Sequence, residues 1–228
     1  MFFDLVGQGA ILNVVGAKNY ISYLLVGIAV GGYVGTALFG ASNEIAGELV
    51  SGQIEYVFSC PVSRYDYIVG NAFAQIVVAT FSFVPLILLA IYYSGTIAGP
   101  LDLILSWAVV VVQLLLLVQL GAIFAGLVLV YKQISAAFGL LNMVFLLFSG
   151  TFFPLQVLPK YIQNASLAVP TTTGLDLLRH YLLGTTTIVS LEWEWLAILL
   201  ELSVFAALAI FVIRHLEKSW KAKGLSYI

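Results

Sequence analysis

The sequence predicts an all-α integral membrane protein, a polytopic helix bundle. Three observations predict it. Of 228 residues, 62% are hydrophobic and only 9% are charged, whereas a soluble domain carries roughly a quarter charged residues. Mean hydropathy is +1.08. Several apolar runs exceed the ~20 residues that a helix needs to cross a bilayer core, and they lack the ~10-residue alternation of membrane β-strands.

Five spans are expected in one transmembrane domain covering residues 1–228. The first, 20–41, carries Gly27, Gly31 and Gly35 on one face, a small-residue stripe that permits close helix contact. The second, 67–93, contains Pro85, which should kink it. The third is 103–130, the fourth 135–153 and the fifth 195–213. Between them lie an N-terminal segment (1–19), a connector (43–66), an apolar segment broken by proline (153–192) and a tail (214–228).

Lysine and arginine set the orientation. With the C-terminus inside, Arg64, Lys132, Arg214, Lys218, Lys221 and Lys223 are cytoplasmic, and Lys18, Lys160 and Arg179 are outside. The opposite orientation reverses that excess. The connector and tail are therefore expected in the cytoplasm, and the 153–192 segment outside. That segment is too long and apolar for a solvated loop. Non-helical backbone at membrane depth must be covered by protein or line a cavity, so two short helices dipping into the outer leaflet are expected.

Several functions are excluded. A net charge of −2 gives no footing for nucleic acid. A single cysteine, Cys60, and the widely separated His180 and His215 offer no metal-ligand spacing. No phosphate-binding G-x-x-x-x-G-K-[ST] loop occurs, so no cofactor and no metal is expected on this chain.

Polar residues inside the spans are the candidates for a pathway. Gln75, Gln113, Gln119 and Asn142 either pin helix to helix or line a polar route. Glu201 lies about 9 Å past Trp195 along the fifth span. An acid at that depth costs on the order of 3 kcal/mol on insertion scales. It is expected to face the bundle, as a substrate or proton site or as a bonded structural acid.

The connector reads "EIAGELVSGQIEYVFSCPVSR" from residue 44. On a helical wheel Glu48 and Glu55 fall within about 40° of Glu44, with Ile45, Leu49 and Tyr56 on a neighbouring face. A surface helix, or two short helices joined near Gly52, would show the acids to a partner. A solvated acidic loop is the alternative. Pro61 should end any helix by about residue 59.

The stretch "GELVSGQIEYVFSCPVSRYDYIVG", with Glu48, Gly52, Glu55, Pro61, Ser63, Arg64 and Gly70, resembles the coupling segment of the permease subunits of type-2 ABC exporters. "YISYLLVGIAVGGYVGTALFGAS" is similar to that family's second span, with Val26 where proline is common. "LFSGTFFPLQVLPKYIQNASLAVPTTTGLDLLRHYLLG" resembles its outer re-entrant hairpin, with Phe153, Pro154, Leu158, Pro159, Pro170, Asp176 and Arg179 in the matching places.

The resemblance implies a permease that works as a homodimer or a related pair in the plasma membrane. It implies a separate ABC ATPase subunit that binds ATP and Mg and docks at Glu44, Glu48, Gly52, Glu55, Pro61, Ser63 and Arg64. The hairpin residues would form the outer gate. The sparse charge in the spans suggests an amphipathic, lipid-like or drug-like cargo. The chain itself would perform no covalent chemistry. The family usually has six spans, so a first span missing before residue 1 is expected, with a five-span member as the alternative. An ion-coupled carrier built on Glu201 and a membrane scaffold without transport are the competing readings.

Overall fold

A computed structural model describes residues 16, 19–61, 63–95, 99–130 and 135–223. All regular structure among them is helical. Helix α1 spans Tyr20–Ser51, α2 Gln53–Ser59, α3 Arg64–Ser94, α4 Pro100–Val130 and α5 Ser135–Phe148. A 3-10 turn, Leu155–Val157, leads to α6 (Lys160–Ser166), α7 (Thr172–Leu183) and α8 (Leu191–Lys223).

Asn19 starts α1 by accepting the Ile21 N–H at 3.0 Å, as N-cap asparagines do. The helix runs through Ser51, past the expected end at residue 41. The first half of the connector is thus a continuation of the span, because nothing before Gly52 breaks the helix. Gly52, at φ 72°, stops it, and only glycine adopts that conformation without strain. Pro85 sits inside α3, which continues through it.

Four helices, α1, α3, α4 and α8, are long and apolar enough to cross a membrane. The stretch expected as the fourth span is different. Helix α5 has 14 residues, about 21 Å at 1.5 Å per residue, which falls short of a ~30 Å bilayer core. Residues 131–134 before it lie outside the described residues. After Phe148 the chain turns through Gly150 at φ 72°, so the helix ends before the expected residue 153.

Helices α1 and α4 are central: 56% and 50% of their most apolar stretches are buried, against 17% in α3 and in α8. The outer faces of α3 and α8 expose Phe73, Phe81, Leu88, Leu200, Val204 and Phe211. In water such faces would drive association; in a bilayer they face acyl chains. The larger apolar cluster surrounds α7, with Val26, Val30, Leu117, Leu175, Leu178 and Ile198. A smaller one at the opposite end joins Ile45, Ile54, Ile68, Ala125 and Ile213.

The glycine stripe packs as its spacing predicts. An added Cβ at Gly27 would strike the Thr151 carbonyl and lie 2.5 Å from Arg179 Nη2; at Gly31 it would lie 2.9 Å from Leu146, and at Gly35 3.8 Å from Asn142. α5 and the turn after it therefore lie along α1. Gly32, one position off the stripe, would meet nothing within 4 Å. We expect Gly27→Ala to destabilise the fold by about 1–3 kcal/mol, the range for overpacking. Gly32→Ala should leave stability unchanged or raise it, since alanine favours a helix by about 1 kcal/mol. Thermal melting of both variants in one detergent checks this.

Candidate functional site

Helix α7 is the unusual element. It has 12 residues, and all but His180 are buried. Its N-terminal segment sits deep: Gln113 Nε2 donates to the Pro170 carbonyl at 3.3 Å, and Thr173 Oγ1 donates to Glu201 Oε2 at 3.1 Å. Glu201 lies about 15 Å along α8 from its first residue, half of a ~30 Å bilayer core. α7 therefore reaches the middle of the bundle and runs back to the end it came from. The prolines expected in the outer segment punctuate this path. Pro154 precedes the 3-10 turn and Pro159 precedes α6. Phe153 is half-buried and Pro170 buried.

Arg179 ties α7 to the rest. It is 2% exposed. Nη1 donates to Tyr23 Oη at 2.7 Å and to the Gly150 carbonyl at 2.8 Å. Nη2 donates to the Tyr23 carbonyl at 3.2 Å and to the Thr151 carbonyl at 3.0 Å. The guanidinium carbon also lies 3.6 Å from the centroid of the Tyr23 ring, a cation–π contact worth about 2 kcal/mol or more when desolvated. One side chain thus joins α1, the turn after α5, and α7.

Asp176, one turn before Arg179, accepts the Ile188 N–H at 2.7 Å. Burial raises its carboxyl above the ordinary value, against the hydrogen bonds and the Arg179 charge that lower it. Glu194 accepts the Val189 N–H at 3.2 Å. The two acids hold successive amides of the strap between α7 and α8. Glu201, a carboxylate beside the N-terminus of α7, sits where a helix dipole favours negative charge.

At the opposite end, the connector's acids do not form one outward stripe. Glu44 Oε2 accepts Gln75 Nε2 at 2.5 Å, and Glu48 accepts the Tyr67 hydroxyl. Both face α3. Glu55, on α2, is exposed, as are Tyr56 and Val50, at 80% and 92%. Ile54 between them is fully buried. Pro61 is exposed, and Ser63 precedes α3 at the N-cap position. Arg64 opens α3, and its side chain lies outside the described residues.

Two of the expected groups therefore merge. Gln113 and Glu201 join Asp176 and Arg179 around α7, while Gln75 belongs with the connector acids. Asn142 lies beside Gly35, and Gln119 Oε1 has no hydrogen-bond partner among the described residues. Sequence reasoning missed Tyr23, Tyr67, Thr173 and Glu194. Glu194 carried a usable signal: it lies four residues before Ile198, on the buried face that continues to Ala209 and Ile213. Tyr23 carried none, because a tyrosine near a span's end also reads as an interfacial anchor.

The fork geometry of Arg179 yields a prediction. Arg179→Lys keeps the charge but offers three donors from one point, which cannot reach three separated carbonyls and the Tyr23 hydroxyl together. We expect a loss of about 3–5 kcal/mol, the range for breaking a buried charged network. Melting of the lysine variant, with an exposed-site Lys160→Arg control, measures it.

The comparisons with known proteins agree with this architecture. No curated protein matches the chain. A family model described as ABC-2 family transporter protein matches residues 15–211. That match takes in α1, α3, α4, the connector, α7 and α8 as far as Phe211, and the chain is a multi-pass membrane protein belonging to the ABC-2 transporter family.

Proposed function

We propose that the chain is the permease subunit of an ATP-driven exporter, with a separate ATPase subunit docked on its connector. What supports this most is the build of α2. Ile54 is fully buried in the cluster with Ile45, Ile68 and Ile213, while Glu55 and Tyr56 on the same short helix are exposed. A coupling element needs this division: a free face for the partner and a fixed root in the bundle. Burying an isoleucine contributes about 1.5–3 kcal/mol, enough for α2 to move with α1, α3 and α8 instead of swinging loose. Glu44 and Glu48 serve the root by fastening α1 to α3, and Glu55, Tyr56 and Val50 form the docking face.

In this reading the ATP and Mg are bound by the partner. Two permeases pair, each with its ATPase. The chain crosses the plasma membrane five times, with α5 and the turn after it, through Phe153, as the fourth crossing and the C-terminus in the cytoplasm. α7 with its strap is the outer gate. ATP binding acts through the connector only if the ATPase's two states differ in their affinity for it. The apolar, weakly charged interior suits an amphipathic or lipid-like cargo moved outward.

The test is co-purification with the candidate ATPase, together with ATP hydrolysis in liposomes. Glu55→Lys combined with Tyr56→Ala should abolish retention of the ATPase, with an unchanged melting temperature for the permease alone. Glu44→Gln should leave retention intact, because its amide can still bond Gln75. Full retention by the double variant would overturn the docking face.

A further inference from the structure

Arg179 has five N–H donors. Four are used, two at Nη1 and two at Nη2. The fifth, at Nε, is buried and has no hydrogen-bond partner among the described residues. Among the buried atoms that share that condition, two belong to residues beside it: Gln156 Oε1 and Thr172 Oγ1. The three residues come from two elements: Gln156 from the 3-10 turn, and Thr172 and Arg179 from the start and the second half of α7. All three line one small cavity, with Tyr23 and Asp176 in its wall. The space open to the centre of a water molecule there is ≈ 10 Å³.

That volume is about one water, and an interior water needs two to four polar partners. The cavity supplies one donor, Nε, one acceptor, Oε1, and one hydroxyl that serves as either. Leaving all three unpaired would carry the full desolvation penalty of each group. Gln156 is held in place from its other end, since its Nε2 donates to the Thr186 carbonyl at 3.1 Å. An anion fits poorly, because the amide oxygen would oppose it and the Asp176 carboxyl is close by.

We propose that this cavity binds one ordered water that accepts from Arg179 Nε and donates to Gln156 Oε1 and Thr172 Oγ1. The water completes the arginine's hydrogen bonding and joins the 3-10 turn to α7. This inference concerns the chain's own interior and stands apart from the transport reading.

A structure of the purified chain in lipid nanodiscs, at a resolution that shows ordered water, tests it directly. The expected result is a single peak within hydrogen-bond reach of Arg179 Nε and of Gln156 Oε1 and Thr172 Oγ1. A cavity without density overturns the proposal, as does Nε bonded to a protein oxygen. A bromide anomalous peak at the site in bromide buffer also overturns it, in favour of an anion. Melting gives a second readout whose sign discriminates. If Thr172 Oγ1 bonds the water, Thr172→Val lowers the midpoint by about 2–4 °C and Thr172→Ser keeps the wild-type value. If no water is there, removing an unpaired buried hydroxyl leaves the midpoint unchanged or raises it. Should the valine variant fail to fold, the wild-type density decides.

Discussion

A buried arginine sets the terms for the α7 end of this molecule. An unpaired charge in an apolar interior carries a desolvation penalty of several kcal/mol even after relaxation, so everything around Arg179 is arranged to supply acceptors. Three main-chain carbonyls, at Tyr23, Gly150 and Thr151, turn toward it, and the Tyr23 hydroxyl and ring complete the enclosure. Two of them, at Gly150 and Thr151, are free because the chain is not helical there, while the Tyr23 carbonyl lies in the first turn of α1. The break after α5 and the position of the guanidinium therefore depend on each other. Gly27 completes the set: without a side chain, α1 comes close enough for Thr151 and Arg179 to reach it.

The two ends of the bundle are held by different means. Around α7, directional polar contacts from Arg179, Asp176, Glu194 and Gln113 organise short helices and a strap. At the connector, the contact is chiefly apolar, through Ile45, Ile54, Ile68 and Ile213, with Glu44 and Glu48 fastening α1 to α3 at its edge. Hydrogen-bonded networks have few good arrangements and switch between them discretely, whereas apolar packing is non-directional and tolerates sliding. Under the coupling proposed above, that contrast would suit a root that shifts as a body and an α7 end that is either latched or open.

Much of this was legible in the residues. Hydrophobic runs longer than a bilayer is thick located the four long helices, because a membrane imposes one secondary structure on a lone apolar segment. The i, i+4 spacing of Gly27, Gly31 and Gly35 announced a close helix contact, and the order of motifs from Glu48 to Arg179 pointed to the family that the matched residues 15–211 establish. These features are local or periodic along the chain, so they survive being read in one dimension.

Which partner each polar group takes was not legible. A wheel places Glu44, Glu48 and Glu55 on one face, but only the packing of α3 decides that Gln75 and Tyr67 claim the first two while Glu55 stays free. Likewise, Arg179 stands 156 positions from Tyr23, and no spacing rule links residues so distant. The sequence by itself determined the solvent and the four long helices, though not the far ends of α1 and α8, which run on to Ser51 and Lys223, since solvent and helix follow from transfer free energy and local backbone preference. The tertiary structure decided which charges are buried and what satisfies them, because a desolvated group is stabilised by whatever acceptors folding brings within about 3 Å of it, wherever they lie in the chain.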